Sequence, residues 1–309
     1  MCEDASILTA LRRSAIRREA RGIMSVGIVC DSSVDLPDAL LEERGLRVAP
    51  VGYSLGATYY SQGEQTHAEF YDALGRGERL TLNGVTSEDW ESVFLAAAEG
   101  HDEGVICLCQ AFGSSSPSFD SAEYASRRIE HFHEQQVRIH QTPRSTAGQA
   151  AIALAVARAS QAGSDREAVE RALDEVSASA DIFMLAPDVD GLDRAGELSA
   201  VQSQSGIGSL DFGVPVFRAR DRVKAVELAD DAEQAEDMLL DRAADILGGQ
   251  PAIVVVTHAL APDAAGRLRD KASARLSVDE IHVTELGPTV GGLLGAGAWG
   301  LGFCQTPSM

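Results

Sequence analysis

Ser25-Val-Gly-Ile-Val-Cys30-Asp-Ser-Ser33 is the stretch from which the rest of the chain can be read. Apolar residues run without interruption from Val26 to Cys30, which marks a buried strand, and Asp31-Ser32-Ser33 ends it in a polar loop. A second such run, Gly104-Val-Ile-Cys-Leu-Cys109, stops before the loop Phe112-Gly-Ser-Ser-Ser-Pro-Ser118. Helical segments alternate with these strands. One runs from Leu36-Pro37 through Glu43 and is ended by Gly45; another opens with the capping box Thr86-Ser-Glu-Asp89 and runs to Gly100. Strands at 46–51 and 137–140, a helix ending near 134 and an Ala-rich helix over 146–161 complete the pattern. Such alternation predicts an α/β unit, a mostly parallel sheet covered by helices.

Further along, the pattern changes. Ser164-Asp-Arg-Glu167 reads as a capping box opening a helix to about 177, and Asp181-Ile-Phe-Met-Leu-Ala186 as a strand. Val214–Arg218 and Val223–Leu228 are separated by only four residues, too few for a crossover, so they pair as a hairpin. A helix over 231–247, a strand over 252–257, a helix over 262–275 and a strand over 279–286 follow. The second unit is therefore expected to be α+β with an antiparallel sheet. Residues 1–23 carry five arginines against three acidic residues and match neither unit. The expected organisation is an N-terminal appendage over 1–23, an α/β domain over 24–162 and an α+β domain over 163–309.

Composition excludes several functions. The 309 residues carry 26 Lys plus Arg against 47 Asp plus Glu, a net charge of −21. Nucleic-acid affinity depends on basic side chains neutralising phosphates, so no nucleic-acid partner is expected. No apolar run reaches the ~18 residues of a membrane span and no secretory signal opens the chain, so neither stable membrane insertion nor export is expected. The five cysteines are odd in number and lie in apolar segments, which fits a reduced, cytoplasmic setting rather than a disulfide framework. Cys107 and Cys109 share one face of a strand and read as buried hydrophobes. His131 and His133 on a helix do not face each other, and no metal site or cofactor is expected.

Three polar segments are candidate sites. Asp31 and Ser32 lie at the carboxyl end of a predicted parallel strand, the edge where open α/β sheets hold ligands. The alternative is a turn in which Asp35 caps the next helix. Ser116 before Pro117 suits a helix N-cap, where backbone N–H groups and a hydroxyl converge on an anion, although a purely structural cap reads the same way. Residues 287–302 hold seven glycines, a spacing that permits close backbone approach. No Gly-Lys dipeptide is present, so this is not a phosphate loop. Ser116, His258 and Asp31 have no recognised nucleophile–base spacing, and an enzyme is not expected.

Taken together and in order, these segments resemble the DegV family of fatty-acid-binding proteins. Asp31-Ser-Ser-Val-Asp-Leu-Pro37 is similar to its opening motif, Phe70-Tyr71 to its Phe-Tyr pair, and the loop with Ser116 and Ser121-Ala122 to its Ser-Gly-Thr segment. Gly206-Ile-Gly-Ser-Leu210, Pro215 and Glu285-Leu-Gly-Pro-Thr-Val-Gly291 continue the likeness, which spans 24–304. The resemblance implies two α/β domains enclosing a long-chain fatty acid in an apolar tunnel, with the acyl group presented to a separate fatty-acid kinase. It implies Ser116 as the carboxylate-binding serine and sets Leu82 and Asn83 at the family's Thr-Ser pair. Leu293 falls on the family's head-group histidine, Glu197 on an arginine and Val214 on a lysine. A carrier of another elongated ligand is the alternative.

Overall fold

The computed structural model describes residues 26–110, 117–142, 144–187, 189–194, 196, 198–205, 213–219 and 223–308. The appendage, Ser116, Glu197, the Gly206–Leu210 motif and Arg220 and Arg222 of the hairpin lie outside them.

The opening run forms β1 (Gly27–Asp31), buried throughout. A single 3-10 turn follows, capped by Asp31, whose side chain accepts from the Ser33 amide. Helix α1 (Asp38–Arg44) leads to β2 (Leu46–Ala49), and three short strands follow: β3 (Gly52–Leu55), β4 (Thr58–Ser61) and, after α2 (His67–Gly75), β5 (Leu80–Gly84). Helix α3 (Ser87–Ala98), β6 (Val105–Gln110), α4 (Pro117–His133) and β7 (Val137–Thr142) complete the first part. The sheet order β2-β1-β6-β7 is parallel throughout, as the alternating pattern predicts. Strands β4-β3-β5 make a separate antiparallel sheet that the sequence reading did not identify.

Helix α5 (Thr146–Gln161) is Ala-rich and buried on nearly every face. A helix apolar all round needs protein on all sides. It has the parallel sheet on one side and a second sheet on the other. After α6 (Arg166–Ser179) come β8 (Asp181–Leu185), α7 (Asp190–Arg194), α8 (Leu198–Ser205), β9 (Val214–Ala219), β10 (Val223–Ala229), α9 (Ala232–Leu247), β11 (Ala252–His258), α10 (Pro262–Arg275), β12 (Val278–Glu285), α11 (Pro288–Leu294) and β13 (Trp299–Gln305). The second sheet has order β10-β9-β8-β13-β11-β12, antiparallel except for β11 and β12, and the expected hairpin pairs β9 with β10.

Two local readings change. Helix α6 is capped by Asp165, which accepts from the Ala168 amide at 2.8 Å, one residue later than the predicted Ser164. The reciprocal capping box belongs instead to α2, between Thr66 and Glu69. The glycine-dense tail forms the short helix α11 and then β13, an interior strand of the second sheet. Its Gly302 lies where a Cβ would fall 2.2 Å from the Ala147 carbonyl carbon and the Gly148 nitrogen, so α5 crosses β13 at backbone contact.

Candidate functional site

Asp35 does not cap α1, whose N-cap Pro37 makes no side-chain bond. It sits in the left-handed region at φ 51° and ties three segments together. Its Oδ1 accepts from Gln62 Nε2 at 2.9 Å, its Oδ2 from Thr146 Oγ1 at 2.6 Å, and the Gly287 amide also donates to it. Thr146 itself has φ 39°, a costly conformation for a β-branched residue, so the bond joins two strained positions. The whole residue is half-buried, yet the protein around its carboxyl desolvates it and pushes its pKa up to about 7 against these bonds.

Ser32 beside it donates to Gln62 Oε1 at 2.8 Å and accepts from the Val51 amide at 2.8 Å. Asp31 lies one layer deeper, 1% exposed, accepting from the Gln110 amide at 2.6 Å and from Ser33 and Gln149. Burial raises its pKa despite those donors. Asp31 thus fixes the end of β1, and Ser32 and Asp35 present the surface above it.

That surface is one wall of a cavity of about 580 Å³. The opposite wall comes from the ends of β11 and β12: His258, Thr284 and Glu285. His258 and Glu285 are register partners, and His258 also faces Trp299 of β13. His258 Nδ1 accepts from the Ala261 amide at 3.3 Å, and desolvation, ahead of the opposing Glu285, holds its pKa below the usual histidine value. His67 of α2 pairs with Glu285 at 2.7 Å across the rim. Tyr71 links the same two parts, donating to the Leu286 carbonyl at 2.7 Å, while Phe70 lines the cavity.

The other predicted residues that the structure describes lie elsewhere. Leu82 and Asn83 lie on β5, where Leu82 is 37% exposed and Asn83 Oδ1 accepts from Ser54 Oγ at 3.0 Å. The end of β5 abuts the start of α4: a Cβ at Gly84 would lie 3.0 Å from Pro117 Cβ, and the Val85 amide donates to Ser118 Oγ at 3.1 Å. Helix α11 packs on β5, and its Leu293 is half-buried against the core. Strand β5 thus meets the start of α4 at its Gly84 end and Gly292 of α11 at its Leu80 end, whereas Ser32 lines the cavity and Asp31 lies behind it. Arg218 of β9 is paired with buried Asp181, its Nε at 2.9 Å from Oδ2. Sequence reasoning missed Gln62 and Thr284, read Asp35 as a helix cap and read Glu285 only as the start of the family-like ending segment; the polar loop beginning at Asp31 was the signal for Asp35 alone.

Among the described residues, no group of three or more His, Cys, Asp and Glu is placed to hold a metal. Nor is any helix among them long and apolar enough to cross a membrane.

The chain is 27% identical over 279 residues to a DegV domain-containing protein of Streptomyces coelicolor, covering 89% of this chain and 97% of that one. To Protein DegV of Bacillus subtilis it is 25% identical over 296 residues, covering 91% and 99%. The fold is shared with the fatty-acid-binding DegV family protein of Thermus thermophilus, at TM-score 0.79 and 24% identity, covering 91% of this chain and 100% of that one. It is also shared with the fatty-acid-binding protein DegV of Bacillus subtilis, at TM-score 0.76 and 22% identity, covering 91% and 99%. The model of the DegV family, whose members it describes as uncharacterised proteins, matches residues 25–306, and the chain belongs to that family.

Proposed function

We propose that the chain is a carrier of one long-chain fatty acid rather than an enzyme, and that it presents the acyl carboxyl to a separate fatty-acid kinase. The observation that supports this reading is the contact of β5, which holds Asn83, with both the start of α4, next to Ser116, and α11, which holds Leu293, although the three are distant in sequence. Relatives of the same fold are named for fatty-acid binding. In this reading the tail lies among apolar residues between the two sheets, and Ser116 and Asn83 donate to the carboxylate. Leu293 contributes apolar surface where the family resemblance expects an imidazole, so the head group relies on neutral donors.

Organic extraction of the purified, denatured protein followed by mass spectrometry should return one fatty acid per chain. In titrations with a fluorescent fatty acid, Ser116→Ala should weaken binding roughly 10- to 150-fold, the effect of one hydrogen bond to a charged group. Leu293→His should tighten it. An extract without fatty acid, together with unchanged affinity in both variants, would overturn the proposal.

A further inference from the structure

Helix α4 turns Ala122, Ala125 and Ile129 to the core, which leaves Tyr124, Arg128 and Phe132 in one outward stripe at every fourth position. Tyr124 is 54% exposed and Phe132 68%. Two large rings on one helix face, about 12 Å apart along its axis, leave apolar area in water that a partner can bury. Between α4 and the neighbouring α3 lies a second cavity, of about 230 Å³, lined by Glu91, Arg128, Ile129, Phe132 and His133. A cavity of about 150 Å³ holds a benzene ring, so this one has room for an aromatic side chain.

Charge selects the occupant. The chain carries −21, so a second copy is repelled by most of its surface. On α4, however, Arg127 and Arg128 stand against Asp120, Glu123 and Glu130, and the stripe is close to neutral. Arg128 pairs with Glu91 of α3 at 2.7 Å and lies 5.8 Å from the centre of the Tyr124 ring. The stripe is also complementary to itself. When a two-fold axis passes through Arg128, a residue some number of positions before it on one copy faces the residue equally far after it on the other. Tyr124 then faces Phe132 and the cavity beside it, and the Glu123 carboxylate faces the His133 ring. Each Arg128 lies between Glu91 of its own chain and Glu91 of the second copy. Every such contact occurs twice.

We propose that the α3–α4 face is a homodimer interface, in which two copies pack their α4 helices antiparallel and each inserts Tyr124 into the other's cavity beside Phe132. Helix α4 is about 25 Å long, and with α3 beside it the face is about 20 Å wide, or roughly 500 Å² for each copy. That is the low end for a specific interface, so the dimer is weak and reversible, with a dissociation constant of roughly 10–100 µM. The inference does not depend on fatty-acid binding.

Sedimentation velocity of the full chain over roughly 5–500 µM should show a reversible monomer–dimer equilibrium in that range. Phe132→Gln and Tyr124→Gln add no charge, and each should weaken the dimer at least roughly tenfold, the effect of losing two buried aromatic contacts. Both residues are exposed in the monomer, so the melting temperature should stay within about 2 °C. Tyr59→Gln, at an exposed ring on β4, should leave the dimer unchanged. Cross-linking tests the two-fold itself. Cys30, Cys107, Cys109 and Cys304 are buried, so in a Cys2→Ser background an added surface cysteine is the reactive one. An equimolar mixture of Tyr124→Cys and Phe132→Cys chains, treated with a short bismaleimide, should cross-link far more than either variant alone. The mixed dimer brings the two thiols together and keeps one native Tyr124–Phe132 contact, whereas neither variant alone does both. A monomer at every concentration, a dimer weakened equally by Tyr59→Gln, or equal cross-linking in the mixture and the single variants would each overturn the proposal. So would a monomer that binds phosphatidylglycerol vesicles through Phe132, which would assign the face to a membrane.

Discussion

Asp35→Asn is expected to turn a stability deficit at alkaline pH into a gain. The Asp35 carboxyl titrates near about 7 in the folded chain, raised from 3.8 chiefly by desolvation and, in smaller part, by the nearby Asp31 charge. Below pH 3.8 both folded and unfolded chains hold the proton, and the group has no effect on stability. Between there and about 7 the folded chain still holds a proton that the unfolded chain has lost. Stability therefore falls as pH rises through this window, and above it the full cost remains, up to roughly 4 kcal/mol. Asparagine tolerates the left-handed backbone at this position and does not ionise, but it gives up part of the bonding to Thr146, Gln62 and Gly287, about 1 kcal/mol for each bond lost. The stability difference between variant and wild type should thus favour wild type near pH 4.5 and the variant near pH 8. Urea titrations at the two pH values measure it, and a difference that does not change with pH would refute the assignment.

Gly302→Ala is expected to leave little folded protein. The added methyl would meet the backbone of Ala147 and Gly148 at 2.2 Å, and neither partner is the end of a flexible side chain. Relief requires moving α5 away from β13, and α5 also packs against the first sheet. Overpacking of a core costs about 1–3 kcal/mol when side chains can rearrange, and more where backbone must move. The soluble yield and the urea midpoint should both collapse. Leu301→Ala in the same strand removes side-chain volume instead and should lower the midpoint without loss of soluble protein. Wild-type stability in Gly302→Ala would mean that the helix is not held at backbone distance.

These two residues also mark where the sequence was and was not readable. Strand β1 was legible because every residue from Val26 to Cys30 is apolar and a polar loop ends it. The antiparallel hairpin followed from the four residues between its strands. Strand β13 was not, because Gly300 and Gly302 replace the β-branched residues that announce a strand; their purpose is the approach of a helix more than a hundred residues earlier in the chain. The sheet β4-β3-β5 was missed because its strands are four or five residues long and mostly polar or half-exposed. Asp35 has the local sequence of a helix cap, and only tertiary structure reveals that its partners are Gln62, Thr146 and Gly287. The proposed head-group residues were legible by resemblance alone, since nothing in residues 82–83 taken by themselves points to 117 or 293. The cavity was illegible for a plainer reason: its walls come from segments on both sides of the fold that share no local pattern.

The burial of α5 between two sheets has a consequence for how the chain is made. Cys304 of β13 donates to the Ala151 carbonyl at 3.4 Å, across 153 positions of sequence. During synthesis the apolar helix and the parallel sheet are complete long before the strand that covers the helix's other side leaves the ribosome. Loop closure over such a span is slow compared with forming a helix, so a nascent chain halted before residue 299 leaves uncovered the part of α5 on which β13 packs. The packing of α5 is therefore incomplete until β13 docks, and the time taken to add that strand sets how long apolar surface of the helix stays uncovered during synthesis.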